Sequence, residues 1–540
     1  WQVSGVEDGE SWDEIVNAYY NILVKNPDPN KPKVIYSKTR KGRGYHKYDS
    51  YSHGSPHKRN SSLFWKTKED FAKKYDVTFE SFGETEGESR EDHVKQAISM
   101  FKTVFSVMNN NVDLINYLSD RLISLGDSVP RQIQECTINT EKEFKYQKLF
   151  NIDHLPDNLF VSPGTKAPNR MGFSKYASYI NTITEQKYGR PLILAMSADL
   201  SDSTNISGFA KGYGEANDKG FYEKTSNIES PLFPQGITEF TNAGMMAGAS
   251  TVNFSTKPYG SFSGYYGAVS TYGSFSYLKY GPLRLFSQLA QDSELKVGKV
   301  IWVVGHSGPE TAEDSRTHYG IFAPGVTQLF PNGSIINIHP WEHNEVAPSL
   351  TAALKTDVPI IAIHLTRPSI IIPDRQKMGI ASHKDSAKGA YIIKKYEKGK
   401  PKEGIVIIRG TAPTNSLMQI LPTLKNNGPN IKIVAAVSME LFKSQNQEYQ
   451  ELIISQPEWN DCMIITNTSL KAMGNWIKNR FVAKYSLSPD FDNRWRTGGS
   501  VDQIIMESGL DSLSILNGIK RFADEREKRL DLLKKAIPNY

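Results

Sequence analysis

Apolar and polar positions alternate in several distinct rhythms along this chain. Residues 11–25 (Ser-Trp-Asp-Glu-Ile-Val-Asn-Ala-Tyr-Tyr-Asn-Ile-Leu-Val-Lys) repeat with a helical period and carry acids in the first turn, which predicts a helix. Lys33-Val-Ile-Tyr-Ser-Lys predicts a short strand, and a Gly- and His-rich loop follows from Lys41 to His57. Residues 66–150 are polar with helical spacing, the pattern of a connector. From Asn169 the pattern changes. A helix expected over 173–188 leads into the apolar run Pro191-Leu-Ile-Leu-Ala-Met. Further runs are Lys299-Val-Ile-Trp-Val-Val, Ser334-Ile-Ile-Asn-Ile and Pro359-Ile-Ile-Ala-Ile-His-Leu. Short apolar runs between helices predict a parallel sheet covered on both faces. After the polar break Lys398-Gly-Lys-Pro-Lys-Glu-Gly come three more: Ile405-Val-Ile-Ile, Ile431-Lys-Ile-Val-Ala-Ala-Val and Cys462-Met-Ile-Ile-Thr. Leu513 to Ala536 reads as one amphipathic helix packed on the surface.

Composition narrows the class. A length of 540 residues with 39% hydrophobic and 23% charged positions is ordinary for a globular α/β protein of about three domains. The 64 basic residues exceed the 58 acidic ones by only six, and no basic stripe interleaves with aromatics, so nucleic acid is not an expected partner. A mild positive balance suits an anionic metabolite. Two distant cysteines, Cys136 and Cys462, predict no disulfide framework and a reducing, cytoplasmic setting. No apolar run approaches the ~18 residues of a membrane helix. The opening Trp1-Gln-Val-Ser-Gly-Val-Glu-Asp-Gly reads as an interior strand and loop, as expected of a truncated, processed or split chain.

The segment richest in reactive side chains is Gly305-His306-Ser-Gly-Pro-Glu-Thr-Ala-Glu-Asp314-Ser-Arg-Thr-His318-Tyr-Gly, directly after a buried run. Ligands of open α/β sheets lie beyond the carboxyl ends of strands. Two histidines and a carboxylate there are able to bind metal, catalyse or hold phosphate; equally, they are able to staple the loop by hydrogen bonds.

This segment resembles the transketolase loop His-x7-Asp-x3-His, and four further segments match that family in chain order. They are Ser197-Ala-Asp199-Leu-Ser-Asp-Ser203, Gly236-Ile-Thr-Glu239 with Ala243-Gly-Met-Met-Ala-Gly, Lys257-Pro-Tyr-Gly-Ser-Phe262, and Leu365-Thr-Arg367. Arg170 resembles a second phosphate-binding arginine. Asp8-Gly-Glu, Thr39-Arg-Lys-Gly-Arg-Gly and Ser52-His53-Gly-Ser-Pro look like the end of the family's diphosphate-binding domain. The resemblance is good over 160–370, fair over 1–80 and weak over 390–540.

It implies an α/β fold in four parts: the tail of a diphosphate-binding domain (1–90), a helical connector (91–160), a pyrimidine-binding parallel-sheet domain (161–385) and a C-terminal α/β domain (386–540). It implies thiamine diphosphate as cofactor, with Mg2+ or Ca2+ held outside this segment. His53, His318 and Glu239 take the catalytic roles. Glu239, Asp199 and the aromatics Phe262 and Tyr265 hold the cofactor, although the aromatic segment including Tyr266 aligns in more than one register. Arg170, Ser203, His306, Asp314 and Arg367 read the sugar phosphate. The implied assembly is a homodimer, or a complex with a chain carrying the diphosphate-binding half.

Such chemistry needs these residue types. Activating the thiazolium carbon requires a carboxylate on the aminopyrimidine nitrogen, and a buried Glu239 suits this role as well as it suits capping a helix N-terminus. Arginine matches phosphate oxygens with a planar fork, though either arginine alone also reads as a surface ion pair. Departures are Phe240, where the family commonly has His, a weak third domain, and no Gly-Asp-Gly followed some 25 residues later by Asn. The implied reaction is transfer of a two-carbon ketol unit from a ketose phosphate to an aldose phosphate. The rivals are a 2-oxo acid dehydrogenase E1, a deoxyxylulose phosphate synthase, and a non-catalytic paralogue or subunit.

Overall fold

A computed structural model describes residues 1–46, 57–80, 89–127, 144–198, 201–213, 220–223, 225–234, 236–313 and 315–536. It divides into two compact units, Trp1–Arg131 and Gln132–Tyr540.

In the first unit, strand β1 (Gln2–Val6) pairs in parallel with β2 (Lys33–Ser37). The crossover between them is helix α1 (Trp12–Tyr20), extended by a π turn over Asn21–Lys25. The Ser11 hydroxyl accepts from Glu14 N and the first turn carries Asp13 and Glu14, so cap and dipole both favour a start there. The polar stretch beyond becomes α2 (Ser62–Tyr75), α3 (Arg90–Asn109) and α4 (Val112–Asp127). Ser61 caps α2, and a Ser89–Asp92 capping box opens α3.

The second unit contains two main sheets, besides a two-residue antiparallel pairing of Lys166–Ala167 with Ile370–Ile371. The larger uses β3 (Ile193–Ser197), β4 (Leu232–Phe233), β5 (Tyr266–Tyr272), β6 (Val300–Gly305), β7 (Ile335–Ile338) and β8 (Ile360–His364). Their order is β4-β3-β5-β6-β8-β7, all parallel. Alternate residues of β6 enter opposite cores, as the two-residue period of a strand requires. Ile301 and Val303 join the cluster of α5 (Asn169–Tyr188) and α8 (His343–Lys355), with Phe173, Tyr176 and Leu350. Trp302 and Val304 join that of α6 (Glu239–Ala249) and α7 (Tyr280–Asp292), with Met246, Leu283 and Phe286. Both faces of the sheet are therefore covered, which is why its strands read as continuous apolar runs.

The smaller sheet comprises β9 (Ala390–Lys394), β10 (Ile405–Arg409), β11 (Lys432–Ala436) and β12 (Cys462–Thr466), in the order β9-β11-β10-β12. Only β9 runs antiparallel. Helix α9 (Thr411–Asn427) follows β10. A buried latch joins the two sheets. Arg375 donates to Glu342 (2.6 Å) and Glu345 (2.8 Å), and the Tyr391 hydroxyl of β9 donates to Glu345 while accepting from Trp341 Nε1 (2.7 Å).

The amphipathic segment at the end forms two helices instead of one, α10 (Ser512–Asp524) and α11 (Arg526–Ala536). The break at Glu525 sets Arg526 and Arg529 to grip one carboxylate, Asp461, each at 2.6 Å. Among the described residues no helix is long and apolar enough to cross a membrane.

Candidate active site

The carboxyl ends of β3, β5 and β6 bring together residues more than a hundred positions apart. Thr271, near the end of β5, donates to Glu239 Oε1 at 3.0 Å. Glu239 is the first residue of α6 and 6% exposed. Its other oxygen makes no hydrogen bond among the described residues. One turn on, the buried Asn242 accepts from Thr238 (3.0 Å), and its Nδ2 has no partner among the described residues. Phe240 points to solvent.

Tyr272, next along β5, meets the histidine loop. Its ring lies 4.1 Å from that of His306 and meets His318 edge-on at 4.6 Å. Phe275 meets His318 edge-on at 5.9 Å. The Tyr272 hydroxyl hydrogen-bonds Ser203 Oγ at 3.0 Å. Arg170 Nη1 donates to Ser203 O at 2.6 Å. His306 Nε2 lies 3.0 Å from that same carbonyl and 3.1 Å from Arg170 Nη1. With its hydrogen on Nε2 the ring donates to Ser203; with it on Nδ1 the ring accepts from Arg170. His306 takes a left-handed backbone, φ 53°, a conformation that non-glycine residues adopt rarely and often at functional sites.

Main-chain links carry Arg367 to the same corner. Ser307 N donates to Leu365 O at 2.8 Å, and Thr366 N donates to the Asn169 carboxamide at 2.8 Å. The half-buried Arg367 therefore follows a loop fastened on one side to the residue after His306 and on the other to the residue before Arg170.

The structure thus gathers Glu239, Arg170, Ser203, His306 and His318, with the Arg367 loop alongside. His53, Asp199 and Asp314 lie outside the described residues. Phe262 and Tyr265 are not gathered. They precede β5, whereas Thr271 and Tyr272 end it, and five residues of strand separate Tyr266 from Thr271 by about 16 Å. Phe262 instead stacks on Tyr266 (5.9 Å), and Tyr265 packs on Phe254 (6.1 Å). The aromatics that the structure places against the histidine loop are Tyr272 and Phe275. The signal for them was position: they come at the carboxyl end of the strand, where α/β sheets place ligands.

Sequence reasoning also passed over Lys279. It is fully buried, and its Nζ donates to Val269 O (3.2 Å) and Val303 O (2.9 Å). Burial holds it well below the usual lysine range, opposed in part by the Glu239 charge. Two carbonyls satisfy the two N–H groups of a neutral amine, and an ammonium would have a third left over.

Comparison with known proteins bears on the fold and the family. Residues 178–371 match the family profile described as transketolase, pyrimidine binding domain. A transketolase of Aquifex aeolicus is 24% identical over 468 residues, covering 84% of this chain and 56% of the relative. A chloroplastic transketolase of Craterostigma plantagineum is 28% identical over 165 residues, 30% of each chain. The chain therefore spans little more than half of the first relative and less of the second. Among solved structures, a Leishmania mexicana transketolase superposes with TM-score 0.60 at 14% identity, covering 97% of this chain and 67% of that one. The Pichia stipitis transketolase complexed with sedoheptulose-7-phosphate does so with TM-score 0.59 at 18% identity, covering 98% and 68%. At such identities the structural likeness is one of fold. Motifs, profile, relatives and fold agree on a transketolase-like chain, with that family's pyrimidine-binding domain matched over residues 178–371.

Proposed function

We propose that this chain supplies the pyrimidine-binding and sugar-phosphate-binding side of a thiamine-diphosphate enzyme that moves a two-carbon ketol unit from a ketose phosphate to an aldose phosphate. The observation that carries the reading is the single cluster at the carboxyl ends of β3, β5 and β6. There a buried carboxylate, bound by Thr271 and with one oxygen unpartnered among the described residues, shares the strand ends with an aromatic pair, two histidines and the Arg170–Ser203 contact. A cofactor aminopyrimidine fits this setting. Glu239 would hold its ring nitrogen while Thr271 fixes the carboxylate, and Tyr272 and Phe275 would flank the ring. When bound, thiamine diphosphate supplies the carbon nucleophile and electron sink for carbon–carbon cleavage.

This chain's own groups do the rest. Arg170, Ser203, His306 and Arg367 anchor the phosphate of the sugar and so fix the distance to its reacting carbons. His318, beside Tyr272, moves a proton at the sugar oxygens. His306 exchanges between donor and acceptor through its tautomers. A cluster of cationic and hydroxyl groups favours a sugar phosphate over a 2-oxo acid.

In this reading residues 1–90 close a diphosphate-binding domain, 91–160 connect, 161–385 bind the pyrimidine and 386–540 form the C-terminal domain. Metal and diphosphate are held by a Gly-Asp-Gly segment outside this sequence, on the same protein or a partner. His53 arrives at Glu239 from a second protomer of a homodimer or from the paired chain, and Asp199 and Asp314 complete the cofactor and sugar contacts.

The test uses the protein as assembled in its source. Bound thiamine diphosphate is quantified, and two-carbon transfer between phosphorylated sugars is assayed for wild type and Glu239→Gln. The reading expects bound cofactor and transfer that the variant loses. An assembly without thiamine diphosphate, or a variant that turns over normally, would sink it.

A further inference from the structure

Phe262, displaced from the candidate active site, belongs to a second feature at the opposite end of the sheet. A cleft of about 770 Å³ opens at the amino ends of β5, β6 and β8. Phe144, Phe262 and Tyr266 form its apolar floor. The Arg190 guanidinium lies 4.2 Å from the Phe144 ring centre and donates to Ser263 O and Gly264 O, so the floor is fixed from beneath.

The charge around this cleft is one-sided. Lys145, Lys148, Lys296, Lys299 and Lys355 line it, and Asp357 is the one lining carboxylate among the described residues. Lys355 ends α8, where a cation answers the helix dipole, so its place has an internal reason. Lys148 likewise falls in the last turn of the short helix Tyr146–Leu149, whereas Lys145, Lys296 and Lys299 answer no helix end. The whole chain carries a surplus of only six positive charges over 540 residues, so this concentration is local.

Lys299 is the built part of the site. It is 7% exposed, and its Nζ donates to Thr356 O at 2.5 Å and Val358 O at 3.0 Å. Those carbonyls bracket Asp357 and hold the amine in place. An ammonium has three N–H groups, so one remains for a ligand. Among the described residues no carboxylate pairs with it. Burial brings it down to about 8, offset in part by Asp357, so a bound anion would supply the counter-charge it lacks.

We propose that this cleft binds a chain of phosphates, as carried by a nucleoside triphosphate or by inorganic polyphosphate. Lys299 would take one phosphate at the base, while Lys145, Lys148 and Lys296 take those nearer solvent. A single phosphate would engage too little of this charge to hold well. The site is separate from the cluster around Glu239 and does not depend on the function proposed for it.

Calorimetric titration of the full-length protein with tripolyphosphate, and in parallel with ATP, tests this. One saturable site is expected for both, weakened at least about tenfold by Lys145→Glu with Lys148→Glu, two exposed changes. Lys299→Met is expected to weaken it further, with circular dichroism and the unfolding midpoint checking its fold. ATP tighter than tripolyphosphate would identify a nucleotide, its base on the apolar floor; equal affinity would identify polyphosphate. Arg170→Ala with Arg367→Ala should leave both titrations unchanged. No saturable binding by about 1 mM, indifference to the Lys145 and Lys148 changes, or loss in the Arg170 and Arg367 variant would each overturn the proposal.

Discussion

Glu239 owes its setting to neighbours that nothing in its own segment marks. Thr271 holds one oxygen, the start of α6 favours its negative charge, and Lys279 lies close enough to feel that charge. Glu239→Gln keeps the shape and the Thr271 contact but loses the ionisable oxygen. With the complete assembly, we expect turnover to fall at least about a hundredfold while the circular dichroism spectrum is unchanged. Arg367 lies remote from the reacting carbons in our reading. Arg367→Ala should therefore raise KM for a phosphorylated acceptor with kcat little altered. Running the same pair of enzymes on an unphosphorylated acceptor checks this, since an equal loss on both would mean that Arg367 does not read phosphate. At this scale the candidate site was legible where reactive side chains sit at fixed spacing, as with His306 and His318. It was illegible where the residue is chemically common. Tyr272 and Phe275 are two aromatics among fifty Tyr and Phe in the chain, and only their place at a strand end singles them out.

Elements show the same division. Continuous apolar runs foretold β3, β6, β7, β8, β10, β11 and β12 because burial on both faces removes the polar alternation; β5, interrupted by Gly, Ser and Thr, and β9 were not foretold. The edge pair β4, two residues long, left no run to read. The single helix expected over 513–536 breaks because Asp461, 65 and 68 positions earlier, draws both Arg526 and Arg529 toward it, a tertiary demand no local period carries. Packing between elements is exacting at Gly172 in α5, where an added Cβ would lie 2.5 Å from the His343 carbonyl at the start of α8. Helix propensity alone favours Gly172→Ala, yet the main-chain clash should dominate. We expect a net loss of about 1–3 kcal/mol, read as a lowered midpoint in denaturant. A gain in stability would show that the two helices are free to separate slightly.

Titration of buried groups governs the molecule as a whole. Glu310 is almost fully buried, neither oxygen has a partner among the described residues, and burial pushes its carboxyl up to about 8. An unfolded chain releases that proton near 4.5, so between 4.5 and about 8 the folded state binds more protons and stability falls as pH rises. His339 and His364 act in the other direction. Burial holds both well below 6.5, so the unfolded chain gains protons first and stability falls as pH drops through that value. Above about 6.5 the histidines no longer contribute; Glu310 lowers stability as pH rises, while Lys279, held well below the lysine range, raises it. Between pH 6.5 and 8 the unfolding midpoint of Glu310→Gln should climb relative to that of wild type, since only wild type carries the downward Glu310 slope. Equal slopes would assign the trend to other groups.

The latch between the sheets bears on how this protein is to be divided by recombinant means. Trp341, Glu342 and Glu345 precede the natural-looking seam near residue 385, Arg375 precedes it too, and Tyr391 follows it. A gene severed at that seam would strand Glu345 without its phenol and uncover apolar strand β9 on the other fragment. Separately produced halves should be sticky and poorly folded, whereas the same halves made together in one cell should find each other through this buried knot of charge. Shuffling either half between relatives would succeed only where the donor carries the matching acid, arginine and phenol.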